Sequence, residues 1–339
     1  MTTTRPRASG RVTLADVARL AGVSPITVSR AIRGERAVDE ELVARVKAAA
    51  QKLGYVPDPA ARALASRRGS HVAVLIPMLS NNLFVDVLEA VQQTLRPLGY
   101  QSLIGITHYD PAEEEQLLRE QLQHRPAGVL LTGLDRSDAA RALLRDSGVP
   151  CVHMMETTQE PGVYSVGLSQ ADAAAAMVDH LLARGHRRIA FAAAQLDPRT
   201  LQRLQGWRQR MQGAGLYEPT LEWLNPAPSS LAVGGQMFEQ VIGQSPAVDA
   251  IFFCNDDLAQ GALLAAARLG VAVPQRVAVA GFNDLTGNDQ MQPPLTTVRT
   301  PRAQMGVAAA RMLIELIRGK TPSPASIDLG FEVVVRGST

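Results

Sequence analysis

A regular alternation of short apolar runs and amphipathic segments, which begins near residue 72, is the feature that most constrains the fold. Runs such as Val72-Ala-Val-Leu-Ile76 are apolar throughout, as the strands of a buried parallel sheet are. The segments between these runs repeat apolar residues at helical spacing. Two successive series of this kind predict an α/β core of two doubly wound lobes, with ligands at the carboxyl ends of the strands.

The pattern assigns an element to most of residues 72–335. Strands are predicted at 72–76, 101–106, 128–131, 151–155, 164–167, 188–193, 250–253, 277–280 and 296–299, and an apolar segment follows at 331–335. Helices are predicted at 83–95, 111–123, 137–146, 171–183, 200–214, 231–242, 258–269 and 304–317.

The N-terminal segment carries a different pattern, which predicts two short helices joined by a tight turn. Thr13 with Asp16 three residues later has the form of an N-cap with an acidic residue in the first turn. Gly22 is placed to end the first helix, and Pro25 stands at the first position of the second. This is the plan of a helix-turn-helix, whose second helix enters the DNA major groove. An ordinary helical hairpin is the alternative, but the polar outer face of the second helix favours DNA binding.

Charge is distributed unevenly along the chain. Residues 1–70 hold thirteen Lys and Arg against six Asp and Glu, whereas the remainder holds 21 against 26. A basic segment on a mildly acidic body predicts a polyanionic partner for that segment, and a solvated basic face is the alternative. Together the patterns and the charge distribution predict a DNA-binding domain at 1–57, a short helix and linker at 58–71, and a ligand-binding core at 72–339.

Several protein classes are disfavoured by what the sequence lacks. No apolar run approaches about eighteen residues, so a membrane partner is not expected. The N-terminus has no apolar signal core, so we expect a cytoplasmic location and not a sugar-transport protein. Cys151 and Cys254 form neither a disulfide framework nor a metal cluster. Pro77-Met-Leu-Ser-Asn81 follows the first strand where a dinucleotide-binding enzyme has Gly-x-Gly-x-x-Gly. We expect no metal, no cofactor and no enzymatic activity.

The motifs resemble those of the lactose/galactose-repressor family of bacterial transcription regulators along essentially the whole chain. The N-terminal matches are Val12-Thr-Leu-Ala-Asp-Val-Ala18, Ala21-Gly-Val-Ser24, Thr27-Val-Ser-Arg30, Leu53-Gly-Tyr-Val-Pro57 and Ala63-Leu-Ala65. The core matches are Arg184-Gly-His-Arg-Arg-Ile189, Asn255-Asp-Asp-Leu-Ala-Gln-Gly261 and Val279-Ala-Gly-Phe-Asn-Asp284. Residues 76–81, 196–200 and 254–258 look most like the gluconate repressors.

The resemblance implies a homodimeric repressor with a headpiece, a hinge helix and linker at 58–71, and an effector core at 72–339 that is related to periplasmic sugar-binding proteins and also dimerises. No C-terminal leucine heptad is present, which favours a dimer over a tetramer. In the family pattern Pro25 and Ile26 read the operator, here through apolar contact with thymine methyl groups, and Leu64 wedges into the minor groove. The residues that we predict to contact DNA are Thr13, Ser24, Pro25, Ile26, Thr27, Ser29, Arg30 and Leu64.

The candidate effector site combines two arginines with polar residues that follow strands. Arg199 and Arg203 lie four apart near a helix N-terminus, which suits an anion, although a solvated surface face is the alternative. Arg203 matches the family's effector-binding arginine, and Asn283 replaces the Asp of sugar-binding members, which avoids repulsion of an anionic ligand. The full candidate set is Ser80, Asn81, Phe84, Glu156, Arg199, Arg203, Ser229, Ser230, Asn255 and Asn283.

These residues predict an effector that is a small acid with hydroxyl groups. Gluconate or 6-phosphogluconate fits, and its binding is expected to release the repressor from the operator. Another sugar, a ketogluconate, or an effector that acts as a corepressor are the alternatives.

Overall fold

The computed structural model describes residues 12–33, 39–56, 69–79 and 82–339, and the chain divides into two compact units at 1–69 and 70–339. The described elements of the first unit are α1 (Leu14–Ala21), α2 (Pro25–Arg33) and α3 (Glu40–Leu53). The predicted hinge helix and Leu64 lie outside the described residues.

The headpiece forms the helix pair that the capping signals predict. Thr13 Oγ1 accepts from the backbone N of Asp16, whose carboxylate accepts in turn from the backbone N of Thr13, so α1 begins with a complete capping box. Gly22 ends α1 with a φ of +66°, a conformation that glycine adopts without a Cβ clash. A small core of Val and Ala side chains, including the fully buried Val28 and Val46, holds α1, α2 and α3 together.

The second unit consists of two lobes, each built on a six-stranded sheet. Lobe 1 has the strand order β11-β5-β4-β3-β1-β2, and its strands are β1 (His71–Ile76), β2 (Gln101–Ile106), β3 (Gly128–Thr132), β4 (Cys151–Met155), β5 (Ser165–Gly167) and β11 (Ser326–Asp328). Lobe 2 has the order β12-β10-β9-β8-β6-β7, and its strands are β6 (Ile189–Ala194), β7 (Glu222–Asn225), β8 (Ala250–Phe253), β9 (Ala278–Asn283), β10 (Thr296–Arg299) and β12 (Glu332–Val334).

Helices cover both sheets. Those of lobe 1 are α4 (Asn82–Leu95), α5 (Pro111–Gln123), α6 (Asp138–Ser147) and α11 (Arg302–Ile317), and those of lobe 2 are α7 (Gln170–Ala183), α8 (Pro198–Gly213), α9 (Leu231–Gln244) and α10 (Asp256–Leu269). Every strand pair is parallel except β10 with β12. This doubly wound α/β arrangement confirms the predicted fold class. No helix in the described part of the chain is long and apolar enough to cross a membrane.

The chain passes between the lobes three times, in the connections from β5 to α7, from β10 to α11 and from β11 to β12. The register of lobe 1 places Ser326 of β11 opposite Ser165 of β5, which brings the late strand back to the first lobe. Each lobe therefore contains segments from distant parts of the sequence.

Two strands and several helix starts differ from the sequence prediction. Strands β7 and β11 were not predicted, since they hold four and three residues at or near sheet edges and neither is a buried apolar run. Helices α8, α10 and α11 begin two residues earlier than predicted, because their first turns carry polar residues and proline instead of the apolar repeat. The early turns of α8 and α10 supply Arg199 and Asp257, which line cavities between the lobes.

Candidate functional site

The space between the two lobes is a cleft at the carboxyl ends of the strands. The larger of the two cavities that Tyr109 and Gln195 both line has a volume of about 390 Å³. It is also lined by Asp135 of lobe 1 and by Asp197 and Arg199 of lobe 2. A second cavity of about 190 Å³ continues it, since Tyr109 and Gln195 line both. A small molecule placed there would contact both lobes.

The backbone at this edge of the sheets adopts conformations that are unusual for residues with a side chain. Tyr109, Met155, Gln195 and Asn283 follow or end strands, and their φ angles are +59°, +79°, +53° and +113°. Left-handed φ values outside glycine are costly and cluster at binding and catalytic sites. These residues at the ends of the strands are therefore held in strained backbone conformations.

Arg203 is a buried cation that has no carboxylate partner among the described residues. Only 4% of its surface is exposed. Its Nε donates to Oε1 of Gln170 at 2.8 Å, and its Nη1 donates to the carbonyl of Cys254 at 2.7 Å and to Oδ1 of Asn255 at 2.9 Å. Burial lowers the pKa of its guanidinium, yet arginine stays charged in proteins. A buried positive charge held by neutral groups is suited to an anion.

Close helix packing places Arg203 in this position. A Cβ added to Gly206, on the same helix, would lie 2.1 Å from the carbonyl oxygen of Ala171, so glycine lets α8 approach α7. This approach brings Arg203 to Gln170, the first residue of α7. From the other side, the Phe282 ring lies 3.9 Å from the guanidinium carbon in a cation–π contact.

Arg199, one helical turn earlier, is buried among carboxylates instead. Its Nη2 lies 2.9 Å from Oδ1 of Asp197, and its Nη1 lies 3.6 Å from both Oδ1 of Asp135 and Oε2 of Glu156. Burial on its own lowers the pKa of the Arg199 guanidinium, but these acids and Tyr109 outweigh burial and raise that pKa. The solvated surface position considered from the sequence is therefore wrong for both arginines, since both are buried.

Glu156 is buried and uses both carboxylate oxygens within the protein. Oε1 accepts from Nε2 of Gln202 at 2.6 Å, and Oε2 accepts from the backbone N of Leu134 at 3.2 Å. Gln202 belongs to lobe 2, so Glu156 ties the lobes together as well as facing Arg199.

Polar residues of lobe 2 line the smaller cavity. Ser229 donates to Oδ2 of Asp257 at 2.6 Å, and Nδ2 of Asn255 lies 3.4 Å from Oγ of Ser229. The other carboxylate oxygen of Asp257 is buried and has no hydrogen-bond partner among the described residues. Burial raises the pKa of Asp257. Ser230, by contrast, caps α9, since its Oγ accepts from the backbone N of Val233.

Asn283 ends β9 with 1% of its surface exposed, and within the described residues neither atom of its side-chain amide has a hydrogen-bond partner. Phe84 is also buried, but it packs in the apolar core and does not line either cavity. Ser80 and Asn81 lie outside the described residues, and Met78 and Asn82 on either side of them line the smaller cavity.

Sequence reasoning missed Tyr109, Asp135, Gln195, Asp197 and Asp257, all of which line the cleft. Each follows a predicted strand within a few residues, so a survey of every strand end would have found these residues. Gln170 was missed for a different reason, because only its contacts with Arg203 and with the Met155 carbonyl reveal its role.

The second headpiece helix has an exposed face. Pro25 and Arg30 are exposed, and Ile26 is exposed over 66% of its surface although it is apolar. The hydroxyl of Ser24 accepts from the backbone N of Thr27 and lies 2.8 Å from its hydroxyl, so Ser24 caps α2. Ser29 is half-buried.

Comparison with known proteins gives matches at both ends of the chain. A family model described as bacterial regulatory proteins, lacI family, matches residues 13–58, and one described as a periplasmic binding protein-like domain matches 178–339. The HTH-type transcriptional regulator GntR of Pseudomonas aeruginosa is 53% identical over 333 residues, which cover 98% of this chain and 97% of the relative.

Solved structures agree with these matches. Transcription regulator GntR from Chromobacterium violaceum is 48% identical with a TM-score of 0.78 and covers 79% of this chain and 98% of that one. The lac repressor dimer bound to operator and the anti-inducer ONPF is 25% identical with a TM-score of 0.86 and covers 97% of this chain and 99% of that one.

These relatives are transcriptional regulators and not enzymes, and the matches cover both the headpiece and the two-lobed core. The resemblance seen in the sequence motifs is thereby confirmed. The chain belongs to the lacI family of bacterial regulatory proteins, as a transcriptional repressor with an N-terminal DNA-binding domain and an effector-binding core.

Proposed function

We propose that this repressor is released from its operator by a small hydroxylated acid, with gluconate or 6-phosphogluconate as the effector. The observation that carries the proposal is the buried guanidinium of Arg203, which contacts Asn255 of the smaller cavity and has no carboxylate partner among the described residues. The likeness of residues 76–81, 196–200 and 254–258 to gluconate repressors supports this choice, and so does the relatives' name, GntR.

The acid group of the effector is assigned to Arg203 and Asn283. Nη2 of Arg203 makes no hydrogen bond within the described part of the chain, and neither does the amide of Asn283. Both can donate to a carboxylate, and a charge-assisted hydrogen bond in a buried site is strong. An Asp at position 283 would instead repel the acid.

The hydroxyl groups of the effector are assigned to the polar wall of lobe 2. The carboxylate oxygen of Asp257 that has no partner among the described residues can accept a hydrogen bond from a hydroxyl, and Asn255 and Ser229 beside it offer further donors and acceptors. A buried acceptor without a partner is unfavourable, so a ligand hydroxyl that supplies the hydrogen bond is stabilised.

Operator reading is assigned to the exposed side of α2. Pro25 and Ile26 can contact thymine methyl groups, and Arg30 can donate to guanine or to phosphate. Thr13, Ser24, Thr27 and Ser29 are proposed to position the phosphate backbone, and Leu64 is proposed to wedge into the minor groove.

We further propose that the repressor acts as a homodimer in the cytoplasm, where chromosomal DNA is. Apolar side chains are exposed on lobe 1 at Val85, Leu98, Leu103 and Ile104. Exposed apolar groups on α4 and on the edge strand β2 suit a second copy of the chain, since isolated apolar surface of this kind favours association.

Calorimetric titration of the full chain with aldonates, ketoaldonates, their phosphates and neutral sugars tests the effector class. Gluconate or 6-phosphogluconate is expected to bind, and neutral sugars of the same length are not. Binding of neutral sugars alone would contradict the acid assignment. A gel-shift titration with DNA selected by the protein gives the sign, since gluconate should weaken the complex, and a tighter complex would identify a corepressor.

A further inference from the structure

Arg199 belongs to lobe 2, but two of its three acidic neighbours belong to lobe 1. Asp135 follows β3 and Glu156 follows β4, and each has a carboxylate oxygen 3.6 Å from Nη1 of Arg199. The third neighbour, Asp197, is the N-cap of the same helix. One cation therefore pairs with three carboxylates across the lobe boundary, and the repulsion among these acids increases when that cation is withdrawn.

The close approach of this arginine depends on a glycine. Gly133, in the turn after β3, has a φ of +75°, and a Cβ added there would lie 2.3 Å from Nη1 of Arg199. The same Cβ would lie 2.7 Å from Oδ1 of Asp135 and 2.9 Å from Oε2 of Glu156. The turn is shaped to admit the guanidinium between these two acids.

The cluster also faces the cleft. Arg199, Asp135 and Asp197 all line the larger cavity, so an effector there touches the groups that join the lobes. Arg203 lies one turn further along the same helix, with no acidic partner among the described residues. An anion that extends from Arg203 toward the larger cavity competes with the lobe 1 acids for Arg199.

We propose that Arg199 is a switch residue that pairs either with Asp135 and Glu156 of lobe 1 or with the anionic effector. Pairing with the acids holds the lobes in the arrangement that favours operator binding, and pairing with the effector releases them. The proposal rests on the proposed function in one respect, the negative charge of the effector. It adds the means by which occupancy of the cleft changes the relation between the lobes.

Two substitutions separate this role from simple ligand binding or simple structural support. Asp135→Asn removes a competitor for Arg199 and is partly exposed, so the fold should tolerate it. It is expected to tighten gluconate binding about threefold and to weaken operator binding without gluconate by about the same factor. Arg199→Gln removes the switch itself and should weaken both, gluconate binding by about tenfold or more.

The measurements are gluconate titration by calorimetry and titration of selected operator DNA, both on the full chain. Asp146→Asn, which removes an exposed carboxylate of lobe 1, and Arg268→Gln, which breaks the ion pair with Glu239 inside lobe 2, are the matched controls and should change neither affinity. Thermal unfolding of every variant checks that the fold is kept.

The switch is supported if Asp135→Asn binds gluconate more tightly and Arg199→Gln binds it more weakly, while both variants bind the operator more weakly than the wild type. Weaker gluconate binding by Asp135→Asn would overturn it, since Asp135 would then be a ligand contact, and so would unchanged operator affinity in both variants. If the wild type binds no sugar acid, the proposed function fails by itself. The operator affinity of Asp135→Asn then still decides whether the Arg199 cluster controls DNA binding.

Discussion

Two successive turns of α8 hold the same residue type in opposite surroundings. Arg203 is held by neutral hydrogen-bond acceptors and an aromatic ring, whereas Arg199, one turn away, is held by three carboxylates. Both side chains are buried, so the difference is one of charge balance and not of exposure. Arg203, which has no countercharge within the described part of the chain, is suited to bind an anion, and Arg199, which has ion-pair partners in both lobes, is suited to hold the lobes together.

The most direct test of this difference between the arginines is to remove the charge of Arg203. Arg203→Gln keeps the length and hydrogen-bonding ability of the side chain but removes its charge. Gluconate affinity is expected to fall by more than about a hundredfold, or about 3 kcal/mol, because loss of a buried charged hydrogen-bond partner leaves the acid desolvated and unpaired. Calorimetry measures the loss, and retained operator binding shows that the fold survives.

A result in which Arg203→Gln binds gluconate normally would place the acid elsewhere in the cleft. Arg208→Gln is a useful control, since Arg208 lies on the same helix and pairs with Glu222 away from both cavities. It should leave gluconate affinity unchanged.

The contrast between the arginines also shows what sequence reasoning can reach. The lobes were predicted because buried strands such as Val72–Ile76 are apolar throughout, and that signal is local. The spacing of Arg199 and Arg203 placed both on one helix face, again from local periodicity. The strands β7 and β11 escaped prediction, because runs of three or four residues carry too little periodicity to be distinguished from loops.

The different roles of the two arginines could not be predicted from the sequence. Asp135 and Glu156 lie 64 and 43 positions before Arg199, and no periodic pattern connects them. Their meeting depends on the order of strands in lobe 1 and on the room that Gly133 leaves. Long-range charge pairing of this kind follows from the assembled fold, so sequence reasoning treated the arginines as one anion site.

A substitution at Asn283 tests whether the effector group that is proposed to bind Arg203 is negatively charged. Asn283→Asp adds a negative charge at a buried position close to the proposed acid group. We expect gluconate binding to weaken about thirtyfold, or about 2 kcal/mol, because an unpaired buried charge is disfavoured and repels the ligand. Neutral sugars should lose much less, since a carboxylate can accept from their hydroxyls. Parallel titrations with gluconate and glucose provide the measurement, and an equal loss for both ligands would rule out the charge argument.

A smaller effect concerns Asp256. Unlike the acids around Arg199, it has no cationic partner among the described residues. Asp256 is fully buried and accepts from the backbone N of Leu285 at 2.7 Å and from the hydroxyl of Thr297 at 2.6 Å. Burial raises its pKa from 3.8 to about 6. Its contribution to stability is therefore complete below pH 3.8 and is lost as the pH rises through 6.

Between pH 7 and pH 5 this difference in pKa makes the folded wild type more stable by about 1 kcal/mol relative to Asp256→Asn, which cannot titrate. Urea unfolding followed by the fluorescence of Trp207 and Trp223, both in lobe 2, measures the change. The substitution also disturbs two hydrogen bonds, but that loss does not vary with pH and leaves the slope intact. A wild type and variant whose stabilities run parallel between pH 7 and 5 would mean that Asp256 stays ionised in the folded protein, and that its hydrogen bonds outweigh burial as the ion pairs do at Arg199.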